Sequence, residues 1–308
     1  MVIILCLWKA MIRLYLCILN CSTYHFADDT NFLCIGKTIK KIQKKVNFDL
    51  KRLVAWLLAN KISLNKTKTE LIFFRKPRDK VPDNYNFKLN GLKLRHSSHI
   101  KYLGIYLDET LSGAYQCSEL GKKLVRANAM LSKTRHFVPL DKLLSVYYAI
   151  FSSHMTYGSQ IWGINTSSNH FKKIERLQNK AMRIMSFSAT KAPSEPIYKK
   201  FGILKLKDQI SLFNCLFVHD QTHKLLPSSF DNFFTPCTDL YDTGTRRRVG
   251  SLFTPHVNSH TYGRHSIKLS CILTWNHLCD TLDTDLMSTS KFTLKKILNK
   301  HFLSSYSD

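Results

Sequence analysis

The spacing of the apolar residues changes near Gly113, and this change constrains the fold more than any other feature of the sequence. Before that point, short apolar runs alternate with turns, as in β-strands. After it, apolar residues recur every three or four positions, as in amphipathic helices. The sequence therefore predicts an α+β fold, in which a small part of β-hairpins and one long helix precedes a mainly helical part.

The predicted elements of the first part lie in a short region. Residues 23–35 indicate strand, turn and strand, and a strand is expected at about 70–74. Between them, residues 38–60 predict a helix with Thr38 as its N-cap and Asn60 as its end. Its apolar face consists of Ile39, Ile42, Val46, Leu50, Leu53 and Leu57, and its solvated face of Lys40, Lys41, Lys44, Lys45 and Lys51.

Further strands and helices complete the expected element order. The dipeptide Asn90-Gly91 tolerates positive φ at both positions and predicts a β-hairpin. Residues 99–108 read as one more strand. Helices are expected at about 114–135, 141–157, 170–187, 207–225 and 290–303, and the proline-containing stretch 226–262 reads as loop-rich.

The charge balance indicates a polyanionic partner. The chain has 46 Lys and Arg residues against 21 Asp and Glu residues, a formal net charge of +25. Nucleic acid is the partner that such a surplus most often serves. The helix at 170–187 places its cations around an apolar side formed by Ile174, Leu177, Ala181, Ile184 and Met185; the cations are Lys172, Lys173, Arg176, Lys180 and Arg183.

Cysteine usage and the apolar N-terminus bear on the compartment. The nine cysteines are odd in number and include no CxxC pair, so we expect a reducing, intracellular setting and no disulfide-linked partner. Nothing in the sequence distinguishes the nucleus from the cytoplasm or fixes the oligomeric state. Residues 1–20 are very apolar, but Lys9 and Arg13 leave neither side long enough to span a membrane. A buried strand or helix is the prediction, and a membrane segment is the alternative.

Two groups of residues contain potential zinc ligands. Cys271, His277 and Cys279 are more widely spaced than a zinc site requires, which favours separate core or surface residues. The segment HDQTH at 219–223 places two histidines on one helix face, as in zinc hydrolases, but offers no evident third ligand. Surface histidines are the preferred interpretation there.

The adjacent carboxylates of Asp28 and Asp29 lie at the first predicted turn. They repel each other, so folding alone gives no reason for them, whereas a Mg²⁺ ion would. Two such ions in a polymerase activate the attacking hydroxyl and steady the leaving group. An ordinary Asp-rich turn is the alternative.

Several spaced segments together resemble the reverse transcriptases of non-LTR (LINE-type) retrotransposons, and jockey-like members in particular. These segments are FADDT, WLLANKISLNKTKTE, KYLGIYLD, SVYYAIFSSHMTYGSQIWG, ERLQNKAMRIM and YGRHSIKLSCILTWNHL. The resemblance extends from about residue 23 to about residue 300. It implies a partial polymerase palm over 1–112, a helical thumb-like region over 113–190 and a helical, loop-rich C-terminal region over 191–308.

The resemblance also implies a polymerase site. Phe26 and Ala27 would support the catalytic hairpin, Asp28 would be the more direct Mg²⁺ ligand, and Asp29 would assist in a two-metal site. Lys68 would protonate or neutralise the pyrophosphate leaving group. Lys66 is its close competitor for that role.

The remaining implied contacts are with nucleic acid. Tyr102, Leu103 and Gly104 match the hairpin that grips the primer end. The helices after Gly113, including the cations at 172–183, would follow the phosphates of an RNA template and DNA primer, with a dNTP as the substrate.

The family's catalytic set includes a third aspartate on a strand upstream of the Asp-Asp hairpin. Asp28 is the first acidic residue of this chain, so we expect the 308-residue chain to be a C-terminal fragment that is inactive or nearly so alone. A truncated gene model of an active element is one explanation. A non-catalytic relic that retains only nucleic-acid binding is the alternative.

Overall fold

A computed structural model of the chain describes residues 2–8, 21–26, 29–62, 69–80, 85–237, 250–257, 266–282 and 286–307. The chain divides into two compact units, Met1–Gln116 and Cys117–Asp308. The first unit combines antiparallel strands with one long helix, and the second is mainly helical. The fold is therefore compatible with the α+β class.

A four-stranded antiparallel sheet organises the first unit. Its strands are β1 (Val2–Trp8), β2 (Ser22–Phe26), β3 (Asp29–Ile35) and β4 (Glu70–Phe74), in the spatial order β2-β3-β1-β4. β1 pairs with β3 on one side and with β4 on the other. The apolar start of the chain thus contains a sheet strand over residues 2–8, whereas residues 9–20 lie outside the described part.

Helix α1 (Ile39–Ala59) confirms the long helix of the first part. The Thr38 side chain accepts a hydrogen bond from the Lys41 amide at 3.4 Å, and the Asn60 side chain closes the other end on the Trp56 carbonyl at 2.8 Å. The helix packs on one face of the sheet because both surfaces are apolar. The buried contacts join Ile42, Val46, Leu50, Leu53 and Leu57 of the helix to Phe32, Cys34, Leu71 and Phe73 of the strands.

Two short hairpins follow the sheet strands. β5 (Lys88–Leu89) and β6 (Leu92–Lys93) are joined through Asn90 and Gly91, whose φ values are 48° and 80°. This confirms the hairpin predicted from the Asn-Gly dipeptide.

The prediction of a single strand over 99–108 is wrong. β7 (His99–Tyr102) and β8 (Ile105–Asp108) pair as a hairpin, with Leu103 at φ 44° and Gly104 at φ 86° in the turn. Apolar residues continue through this turn, so the alternation does not reveal it. A leucine at positive φ is also uncommon, so Gly104 is the turn residue of the usual type at this tip.

A buried ion pair ties the β7–β8 hairpin to β4. The Arg75 Nε donates to Glu109 at 2.7 Å, and the Arg75 amide donates to the Glu109 carbonyl at 2.9 Å. The His96 ring lies 2.8 Å from the other carboxylate oxygen of Glu109. Burial lowers the pKa of His96 and outweighs the opposing influence of that carboxylate. Glu109 therefore holds groups from three segments together.

The second unit is built from helices. Their bounds are α2 (Ala114–Thr134, which begins in the first unit), α3 (Leu140–Val146), α4 (Ser153–Thr156), α5 (Ser159–Asn165), α6 (Ser168–Met185), α7 (Glu195–Phe201), α8 (Leu206–Thr222), α9 (Ile267–Thr281) and α10 (Lys291–Ser304). Residues 147–152 form a π-helical segment that joins α3 to α4. The helix predicted over 141–157 is thus continuous, with a local change of winding.

Helix α9 was not predicted. Its buried residues are Leu269, Cys271, Ile272, Trp275, Leu278 and Cys279, which cover about half of its circumference, while Leu273 on the other side is exposed. The sequence therefore lacks a narrow apolar stripe there. Tertiary contacts hold the helix instead: the Trp275 Nε1 donates to the Gly250 carbonyl at 2.9 Å, and Asn276 bonds both backbone groups of Leu252.

The side chains of seven cysteines are buried: Cys21, Cys34, Cys117, Cys215, Cys237, Cys271 and Cys279. Within the described part of the chain, no helix combines the length and the apolar character that crossing a membrane requires.

We predict that Glu109→Gln lowers the free energy of unfolding of the first unit by about 2 kcal/mol, because Arg75 would lose its charged partner in a mostly buried site. Urea titration with hydrogen–deuterium exchange of peptides from β4 and β8 measures this loss. The control is Glu119→Gln in α2, whose partner Lys122 is exposed; peptides from α2 should report a loss of only about 0.3 kcal/mol. Equal losses for the two variants would contradict the prediction.

We also predict that Gly104→Ala lowers the stability of the β7–β8 hairpin by about 1 kcal/mol, because φ is positive at this position. The matched change Gly121→Ala lies inside α2, where the new methyl group would lie 3.9 Å from the Leu177 side chain, an ordinary van der Waals contact. The stability of that variant should increase by up to about 1 kcal/mol, because alanine has a higher helix propensity than glycine. Local hydrogen exchange reports both effects, and unchanged exchange in residues 99–108 of Gly104→Ala would refute the first.

Candidate nucleic-acid interface and acidic hairpin

The acidic pair lies where β2 turns into β3. Phe26, the last residue of β2, pairs with Asp29, the first residue of β3, so residues 27 and 28 form a two-residue connection. Asp29 is half-buried and Phe26 is 62% exposed. Ala27 and Asp28 lie outside the described residues. The structure thus contains the hairpin, and the catalytic roles of its residues stay predictions.

The strand next to Asp29 carries no carboxylate. Asp29 faces Trp8 of β1 across the ladder, and residues 2–8 read VIILCLW. The nearest acidic strand position on the far side of β1 is Glu70 of β4, which is paired with Cys6 rather than with Trp8. Among the described residues, no group of three His, Cys, Asp or Glu side chains could hold a metal ion. The described part therefore does not complete a two-metal site.

Some of the other predicted polymerase residues lie inside the described part of the chain and some lie outside it. Lys66 and Lys68 lie outside the described residues. Tyr102, Leu103 and Gly104 form the tip of the β7–β8 hairpin, where Tyr102 pairs with Ile105 and the next two residues make the turn. Gly104 is exposed, so backbone at this tip is accessible to a ligand.

The five predicted nucleic-acid contacts share one face of α6. At about 100° per residue, Lys172, Lys173, Arg176, Lys180 and Arg183 fall within roughly 100° of the helix circumference. The opposite face is buried through Ile174, Gln178, Ala181, Met182 and Met185. Four of the cations are exposed, and Arg183 is half-buried. We refer to these five cations as the α6 stripe.

The local electrostatics favour an anion at the α6 stripe. Glu175 is the acidic residue of α6 and lies outside the stripe, about 60° around the helix from Lys172. Burial raises the pKa of its carboxyl group, an effect that Lys207 and Lys205 oppose. A phosphate backbone near the stripe would consequently meet closely spaced positive charges on one side of a helix.

A cavity of about 600 Å³, which the sequence did not indicate, lies between the C-terminal half of α2 and α6. Among its lining residues are Asn128, Ser132, Arg135, Lys180, Arg183 and Ser188. Two members of the α6 stripe thus meet Arg135, a cation from the end of another helix. Arg135 follows a typical amphipathic helix, so no local pattern identifies its role.

The zinc alternatives gain no support. His219 is 2% exposed and its Nε2 lies 2.9 Å from the Thr289 carbonyl, so the interpretation of this histidine as a surface residue is wrong. His223 is exposed and stacks on the His219 ring at 4.0 Å. Cys271 and Cys279 are buried on α9 while His277 is exposed, as expected for separate residues.

Comparison with known proteins gives several relatives. The chain is 26% identical over 189 residues to the RNA-directed DNA polymerase from mobile element jockey of Drosophila melanogaster, covering 60% of this chain and 20% of that protein. It is 25% identical over 189 residues to a probable RNA-directed DNA polymerase from transposon BS of the same species, covering 60% and 21%. No protein-family model and no solved structure matches the chain.

A further relative comes from another organism. The chain is 26% identical over 155 residues to a retrovirus-related Pol polyprotein from type-1 retrotransposable element R1 4 of Nasonia vitripennis, covering 44% of this chain and 40% of that protein. The chain spans about one fifth of the jockey and BS proteins that it matches. These matches confirm the resemblance drawn from the motifs: the chain is similar to part of the RNA-directed DNA polymerases of non-LTR retrotransposons.

Proposed function

We propose that this chain is a reverse transcriptase segment that binds template and primer nucleic acid through the α6 stripe and does not polymerise DNA alone. The observation that carries the binding proposal is the grouping of five cations on one side of α6, opposite its buried face. Phosphate contacts of this kind need charge rather than base recognition. The reaction class, RNA-directed DNA synthesis, rests on the names of the relatives.

The same proposal assigns parts of a polymerase to the two units. Residues 1–112 are the end of a palm, and residues 113–190 are a thumb that follows the phosphates of the template–primer duplex. The tip formed by Tyr102, Leu103 and Gly104 approaches the primer end, and the exposed Lys101 next to it adds positive charge. Lys68 is the proposed cation for the leaving pyrophosphate, with Lys66 as the alternative.

Mg²⁺ is the proposed cofactor of the complete polymerase. Asp28 and Asp29 are the residues that would hold it, and the ion would stabilise the charge that develops on the transferred phosphoryl group. In the described part, the strand beside Asp29 contributes Trp8 rather than a carboxylate. We therefore assign no catalytic step to this chain by itself.

The second candidate function is that of a non-catalytic nucleic-acid-binding relic. It is favoured by the same strand arrangement, since binding through α6 requires no carboxylate next to Asp29. The two candidates share the binding surface and differ only in whether the acidic hairpin ever acts in a complete site.

We predict that replacing Lys172, Lys173 and Arg176 together by Gln weakens binding to an RNA–DNA duplex and lowers the slope of log affinity against log salt by about 2 to 3. Fluorescence anisotropy at several salt concentrations measures both quantities. The control replaces Lys40, Lys41 and Lys44, which are exposed on α1, and removes the same charge. Affinity that is independent of salt, or equal effects of the two triple variants, would contradict the proposal.

We further predict that the 308-residue chain shows no primer extension above background on an RNA template with Mg²⁺. Loss of one member of a catalytic set commonly costs about four orders of magnitude or more. The control is the double variant Asp28→Ala, Asp29→Ala, which should retain its affinity for the duplex. Robust synthesis by the original chain that disappears in this double variant would disprove the predicted inactivity.

A further inference from the structure

The cavity between α2 and α6 combines several features of a ligand site. Its volume of about 600 Å³ lies within the usual range for small-molecule pockets. Arg135, Lys180 and Arg183 all line it, and none of the described residues at its wall is acidic. A ligand that enters this cavity should therefore carry an anionic group.

Both arginines are held in place before any ligand binds. The Arg135 Nη1 donates to the Ile184 carbonyl at 3.1 Å, and its guanidinium carbon lies 4.7 Å from the centre of the Phe187 ring. The Arg183 Nε donates to the Ala192 carbonyl at 2.7 Å. A guanidinium group has five N–H donors, more than these bonds use. Fixed cations with remaining donors suit a phosphate, because little side-chain entropy is lost on binding.

Asn128 adds a requirement that a phosphodiester alone does not meet. The residue is 2% exposed and lines the cavity, and its Nδ2 donates to the Leu177 carbonyl at 3.0 Å. That bond fixes the orientation of the amide, since the reverse orientation would bring two acceptors together. Its Oδ1 is buried and has no hydrogen-bond partner among the described residues. A bound N–H or O–H group would satisfy this acceptor.

We propose that the α2–α6 cavity holds one nucleotide of the bound strand, with its phosphate on Arg135, Lys180 and Arg183 and a donor of its base or sugar on the Asn128 Oδ1. A nucleotide supplies both the anion and the donor that the cavity requires. This inference rests on the proposed nucleic-acid binding and adds to it a specific pocket, which the charge of the α6 stripe alone would not provide.

The first test compares two lysines of α6 in the full chain, with a labelled single-stranded RNA of about 15 nucleotides as the probe. Lys172→Ala and Lys180→Ala remove the same charge from exposed positions, but only Lys180 lines the cavity. We expect Lys180→Ala to weaken binding by roughly threefold more than Lys172→Ala. Equal losses of RNA affinity in the two variants would refute the proposed pocket, although charge-driven binding by the α6 stripe would still hold.

The second test closes the cavity without changing any charge. Ala129 lines the cavity and is exposed, so Ala129→Leu should fold and obstruct the pocket. The control is Ala55→Leu at an exposed position of α1. We expect Ala129→Leu to weaken RNA binding roughly tenfold, the order of one lost nucleotide contact, and Ala55→Leu to have no effect.

The outcomes distinguish failure of the proposed pocket from failure of the proposed nucleic-acid binding. Unchanged binding by Ala129→Leu, with its folding verified by circular dichroism, would mean that the cavity is only hydrated and would overturn the inference. An original chain that binds no nucleic acid would instead reject the proposed function itself. A DNA probe of the same sequence identifies the donor: a loss confined to RNA supports a ribose hydroxyl on Asn128, and equal losses support a base.

Discussion

The first unit depends on the pairing of β1 with both β3 and β4. β3 and β4 are not neighbours in the sheet, and β1 lies between them and forms backbone hydrogen bonds with both. The apolar face under α1 uses Phe32 and Cys34 from β3 together with Leu71 and Phe73 from β4. Without β1, this face would divide into a hairpin and a single strand, neither of which is stable alone.

The same pairing separates the requirements for binding from those for catalysis. β1 completes the sheet and so supports the hairpin that holds Asp29, but the residue that it places opposite Asp29 is Trp8. The proposed binding requires none of this, because the α6 stripe belongs to the second unit and is oriented by the burial of its own opposite face. The cationic face of α6 is thus formed independently of the acidic hairpin.

Sequence patterns predicted the elements whose signals are local. Helix α1 followed from a regular apolar face and a Thr38 cap, and the Asn90-Gly91 hairpin followed from the positive φ that this dipeptide permits. The alternation of apolar residues did not reveal the turn at Leu103, because leucine rarely adopts positive φ, whereas the family resemblance implied a hairpin there. Helix α9 was missed because contacts with residues 250–252 stabilise it, and such contacts leave no periodic signature nearby.

The sequence by itself determined the resemblance to reverse transcriptases, the excess of positive charge, the faces of the main helices and the adjacent aspartates, because each is a property of neighbouring residues. Only the tertiary structure placed β1 between two strands and brought Asn128 and Arg135 to the same cavity as Lys180 and Arg183. The physical reason is that periodicity states which side of an element is buried. Which two buried sides meet, and which polar groups are trapped where they meet, depends on packing between segments far apart in the chain.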